Sequence, residues 1–130
     1  MDTVLELAVP ARFPQVAALR RATDAFLDEN IDQHLRHTLL LVLSELCTNA
    51  IEAVQGRGGE LTVRVRDLDA CVVIEVEDSG PGFATGEGRR GSDTDDERGR
   101  GLQVVRALVD ELTVERAHGC TKVRCVLAKY

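Results

Sequence analysis

The chain has 130 residues, a net charge of −6, 44% hydrophobic residues and 29% charged residues, proportions that predict one soluble globular domain. The acidic balance offers no basic surface for direct nucleic-acid binding. No apolar run approaches the roughly 18 residues of a membrane span, and the N-terminus lacks the basic-then-apolar order of a secretory signal, so a cytoplasmic protein is expected.

Leu5, Leu7 and Val9 alternate and predict an edge strand ending at Pro10. Pro14 suits the first turn of a helix, and Val16, Leu19, Thr23 and Phe26 continue it at helical spacing over 14–28. Asn30 or Asp32 can cap the next helix. That second helix is long, 32–55, with Leu35, Leu39, Val42, Leu43, Leu46, Ala50 and Val54 on one stripe. Gly56 to Gly59 ends it. Leu61, Val63 and Val65 form one strand, and Val72, Ile74 and Val76 the next, paired as a hairpin.

Asp78 to Gly101 is different in kind, rich in glycine and charge and nearly free of apolar residues, and its part over 84–98 is expected to be a mobile lid. A third helix is predicted over 102–112, followed by strands over 112–117 and 121–128 joined at His118-Gly119. This order predicts an α+β fold: a two-layer α/β sandwich with a mixed, mostly antiparallel sheet and the helices on one face.

The four cysteines, Cys47, Cys71, Cys120 and Cys125, form no Cys-x-x-Cys pair and no zinc-like spacing with His34, His37 or His118. They read as small apolar residues in a reducing compartment, and no structural metal is expected.

Three segments carry chemistry. Glu45 and Asn49 lie four apart on helix two, at the border of the apolar stripe. A carboxylate there can act as a general base and an amide oxygen can ligate Mg²⁺; the plainer alternative is two solvated helix positions. Asp78-Ser79-Gly80-Pro81-Gly82 follows a buried strand. Asp78 can accept a hydrogen bond from a ligand amine, and Gly80 and Gly82 let backbone approach a flat ring; the alternative is an ordinary turn. Arg98-Gly99-Arg100-Gly101-Leu102 precedes helix three. Free N–H groups at a helix start and two arginines suit an anion; the alternative is a loop rejoining a helix. Neither the Rossmann fingerprint nor a Walker A sequence is present.

In this order, Glu45…Asn49, Asp78-x-Gly80-x-Gly82 and Gly99-x-Gly101-Leu102 resemble the N, G1 and G2 boxes of the Bergerat ATP-binding fold, with Gly119-Cys120-Thr121 before the last strand. The short length and the opening Val9-Pro10-Ala11 resemble the stand-alone anti-sigma-factor serine/threonine kinases within that superfamily. The resemblance covers essentially the whole chain. It implies ATP and Mg²⁺ as cofactors. Glu45 is then the base for an attacking hydroxyl, and Asn49 holds Mg²⁺ against the phosphates. Asp78 bonds the adenine amine with Thr121 in support, Gly80 and Gly82 pass close to the base, and Arg98, Gly99, Arg100, Gly101 and Leu102 serve the phosphates. Implied partners are a sigma factor and an antagonist protein, with no membrane and no direct nucleic-acid contact; a homodimer is compatible with it.

Two departures bear on catalysis. Many of these kinases carry a His four residues after the N-box Asn, where this chain has Ala53. The expected lid also carries an acidic run, Asp93, Asp95, Asp96 and Glu97, near the phosphates. The rival reading is therefore a regulatory binding module, nucleotide-gated or nucleotide-independent, without significant kinase activity. A detached histidine-kinase catalytic domain is disfavoured, since no helical hairpin with an acceptor His precedes the N box.

Overall fold

The alternating apolar residues at the start of the chain form strand β1 (Thr3–Pro10), and the order continues as α1 (Pro14–Phe26), α2 (Gln33–Val54), β2 (Glu60–Asp67), β3 (Cys71–Ser79), a helical segment α3 over 102–108, β4 (Glu111–Ala117) and β5 (Cys120–Ala128). These elements come from a computed structural model, which describes residues 3–54, 58–79, 102–117 and 119–130. The expected lid over 84–98 lies outside the described residues.

The strands make one five-stranded sheet in the order β1-β2-β3-β5-β4. All four pairings are antiparallel, so the sheet has no parallel pair among the described residues. The register aligns the apolar positions into rows. Leu7, Val63, Val76, Val123 and Val114 form one row, and Leu5, Val65, Ile74, Cys125 and Leu112 the next. Because opposed residues of an antiparallel pair project to the same side, these rows give the sheet one apolar face.

Helix α2 covers that face. Leu39, Val42, Leu43 and Cys47 are fully buried and join the strand residues in a single core with Leu102 and Val105 of α3. Truncating a residue such as Leu43 to Ala costs about 2–5 kcal/mol at sites of this kind. The opposite face is polar. Arg64 pairs with Glu6 at 2.8 Å and Glu77 at 3.1 Å, Arg124 with Glu75 at 3.6 Å, and Lys122 with Glu115 at 3.6 Å. Helix α2 is also, by length and composition, apolar enough to cross a membrane, with a mean hydropathy of 1.2. The expectation of no such run was too strict, because α2 concentrates Leu, Val, Ile and Ala to cover the sheet, and 56% of its most apolar window is buried there.

Local chemistry sets the boundaries. Leu27 leaves the helical region at φ −65° and ψ 145°, and Asp28 Oδ1 accepts the Asn30 N–H at 2.9 Å, which ends α1 two residues before its expected end. Of the two candidate caps for α2, Asp32 serves: its Oδ2 accepts the Leu35 N–H at 3.0 Å. Arg36 then clasps the α1 end, donating to Asp24 Oδ1 at 2.6 Å and to the Asp28 carbonyl at 2.7 Å. Helix α3 stops earlier than the expected 112. Asp110 N–H donates to the Val126 carbonyl, and Asp110 Oδ2 accepts the Ala128 N–H at 2.7 Å. The chain is thereby captured by β5 and enters β4 at Glu111.

Candidate functional site

Strand β3 alternates Ile74, Val76 and Asp78 on the helix-facing side. Where the pattern calls for a third apolar residue there is a carboxylate, and it is only 1% exposed. Burying a carboxylate costs several kcal/mol, so this position is poorly explained as packing. Its Cα partner on β5 is Thr121, which is 2% exposed. A buried acceptor and a buried hydroxyl thus stand side by side at one end of the sheet.

Helix α2 brings a second polar group toward the same end. Only a short connection separates Val54 from Glu60, and Glu60 pairs with Ser79, so α2 finishes at the end of the sheet that carries Asp78. Asn49 lies five residues before the end of α2, about 7.5 Å along its axis. It is buried at 7% exposure, and among the described residues its Nδ2 has no hydrogen-bond partner. An unmet amide donor costs about 1–3 kcal/mol, a cost that a polar ligand removes. The amide carries both an acceptor oxygen and two donor hydrogens, exchanged by a half-turn of the side chain. The position therefore fits either a hydrated cation or a phosphate oxygen, which is the chemistry an ATP-Mg²⁺ site needs.

Glu45 sits one turn earlier and is half-buried. Its neighbour Ser44 donates to the Leu40 carbonyl at 2.9 Å and accepts from Arg20 of α1 at 3.2 Å. Helix α1 therefore buttresses α2 beside Glu45. Ala53 is half-buried and supplies no polar group. Leu102 opens α3 with its side chain in the core at 8% exposure. Gly80, Gly82, Arg98, Gly99, Arg100 and Gly101 lie outside the described residues. The structure thus sets Asp78 beside Thr121 at one end of the apolar face and buries Asn49 in the last turns of α2, the helix that covers this face, with Glu45 on the α2 border.

One residue escaped the sequence reading. Arg116 of β4 is the Cα partner of Thr121, so Asp78, Thr121 and Arg116 form a single row. The signal was present in the two-residue connection between Ala117 and Cys120, which fixes the hairpin register. Gly119 takes φ 80° there, a left-handed conformation that suits glycine.

Cys47, inside the α2 segment, is buried in the core, and burial pushes its thiol up to about 12. It packs rather than reacts. Among the described residues, no group of three His, Cys, Asp or Glu side chains is placed to hold a metal ion.

The sequence profile of the histidine kinase-like ATPase domain matches residues 9–127. The chain belongs to that family. Its matched span contains every candidate site residue, and membership assigns ATP as the ligand class. Comparison with curated proteins finds no match. Among solved structures, the chain is similar to the crystal structure of the RsbU and RsbW domains of Rv1364c from Mycobacterium tuberculosis, with a TM-score of 0.71 and 20% sequence identity over 96% of this chain. The present chain spans 32% of that protein's length, and at this identity the likeness is one of fold.

Proposed function

We propose that this ATPase-family domain is a regulatory protein serine/threonine kinase, which transfers the γ-phosphate of ATP to an antagonist protein and sequesters a sigma factor. The observation that carries the nucleotide part is the buried Asp78–Thr121 pair at the sheet end toward which α2 brings Asn49, whose buried Nδ2 has no hydrogen-bond partner among the described residues. The likeness of fold to a chain containing an RsbW domain and the retained Glu45 support the kinase part.

In this reading the adenine amine donates to the Asp78 carboxylate, which can only accept. Thr121 supports that contact, through a water. Gly80 and Gly82 let the backbone pass close to the base. Asn49 presents its amide to the phosphates and to Mg²⁺, which when bound neutralises phosphate charge. Arg98, Gly99, Arg100, Gly101 and Leu102 line the phosphate side. Glu45 takes the proton of the attacking hydroxyl, and positioning with charge neutralisation supplies the rest of the catalysis. In this reading the domain works in the cytoplasm, with the segment over 84–98 as its lid.

A second reading keeps the nucleotide site but removes the chemistry, leaving a nucleotide-gated or nucleotide-independent binding module. Ala53, half-buried and without a polar group, favours it. Incubating the protein with labelled ATP and candidate antagonist proteins separates the two. Transfer of label to a Ser or Thr supports the kinase, and binding of the antagonist without transfer supports the module.

A further inference from the structure

The row at the ligand end of the sheet runs Val9, Leu61, Asp78, Thr121, Arg116. Opposed residues in an antiparallel sheet project to the same side, so Arg116 is on the helix-facing side with Asp78 and Thr121. Two strand spacings, about 10 Å, separate the Asp78 and Arg116 backbones. The row has a chemical polarity: Asp78 is buried and accepts only, Thr121 is buried and neutral, and Arg116 is exposed and donates only. An adenine nucleotide has the complementary polarity, with a flat base bearing a donor amine at one end and charged acceptor oxygens at the other. Arg116 is the sole cation in that row. The next two cations on the neighbouring strand, Lys122 and Arg124, belong to the opposite face, where they pair with Glu115 and Glu75. In a chain of net charge −6, a cation at the exposed end of this row offsets the repulsion a polyphosphate would otherwise meet.

We propose that Arg116 is a nucleotide-binding residue that holds the phosphate-bearing side of the ligand whose base Asp78 accepts. This rests on the nucleotide reading above and adds a contact that the three sequence boxes do not contain. The guanidinium gives charge-assisted hydrogen bonds to phosphate oxygens and discriminates ATP from the uncharged nucleoside.

The test is calorimetry of the full chain with ATP and, separately, with adenosine, on wild type, Arg116→Ala and Arg116→Lys. Arg116→Ala is expected to weaken ATP binding roughly tenfold while leaving adenosine affinity and the thermal unfolding midpoint unchanged. Arg116→Lys retains most of the ATP affinity, and the salt dependence of ATP binding is shallower in the alanine variant. Unchanged ATP affinity in Arg116→Ala overturns the proposal, and so does an equal loss for ATP and adenosine, which places Arg116 with the base or the fold. Wild type that binds neither ligand overturns the nucleotide reading itself, a result distinct from both.

Discussion

Asp78 and Thr121 are Cα partners in the β3–β5 ladder, and both are almost wholly buried, at 1% and 2% exposure. The pair occupies one end of two strands whose adjoining helix-facing positions are Ile74, Val76, Val123 and Cys125, all buried. The same alternation that builds the core therefore delivers two polar side chains to its rim. That rim is also where α2 ends, so one packing arrangement positions both the base-binding and the phosphate-binding sides of the proposed site.

Asn49 supplies the first prediction. Its buried Nδ2 has no partner among the described residues, so the side chain contributes little to the stability of the ligand-free protein. Asn49→Ala is expected to leave the unfolding midpoint within a few degrees of wild type and to remove most of the magnesium dependence of ATP binding. Calorimetric titration with and without Mg²⁺ measures this. A variant with wild-type magnesium dependence removes Asn49 from the metal side of the site.

Glu45 separates binding from chemistry. It is half-buried on the α2 border, and Glu45→Gln keeps its shape while removing the charge. ATP affinity is expected to stay level or improve, because a carboxylate near phosphates is repulsive. Phosphoryl transfer to the antagonist should fall by something like 10²–10⁴-fold, the range attributed to general acid–base catalysis. Single-turnover transfer and ATP affinity measured on the same preparation provide the check. Equal transfer by variant and wild type shows that Glu45 is not the base.

The cysteines give a pH dependence. Burial raises the Cys47 and Cys125 thiols from 9.0 to about 12. A folded value above the unfolded one means that the protonated thiols contribute stability fully below pH 9.0, and that this is lost as pH rises through about 12. Denaturant midpoints should therefore decline from pH 9 upward. Cys71 and Cys120, which are half-buried, should be alkylated before Cys47 and Cys125 in the native protein, as mass spectrometry of partially labelled peptides would show. Early labelling of Cys47 would contradict the packing described for α2.

Much of the fold was legible because periodicity carries it. The 5-7-9, 61-63-65 and 72-74-76 alternations become strands, and the stripe from Leu35 to Val54 becomes the helix that covers them. Asp78 is legible as a polar residue directly after the buried 72-74-76 alternation, and the structure extends β3 through it to Ser79. Other features depended on partners distant in sequence. The end of α3 is set by Asp110 meeting β5, which no local pattern encodes. Arg116 looks like an ordinary exposed strand residue until the hairpin register sets it beside Thr121. The glycine-rich stretch, Gly80 to Gly101, has no apolar periodicity from which a register could be read, and the residues expected there rest on the family resemblance.

The most direct test of the account is ATP affinity in Asp78→Asn, measured by calorimetry beside wild type. The change preserves volume and replaces an acceptor oxygen with a group that can present a donor to the adenine amine. Losing one charge-assisted hydrogen bond is worth about 1.5–3 kcal/mol, so the account predicts a fall in ATP affinity of roughly tenfold or more, with the chain still folded. ATP binding by Asp78→Asn at wild-type affinity would contradict the site at its centre, because the buried carboxylate beside Thr121 would then have no part in holding the nucleotide.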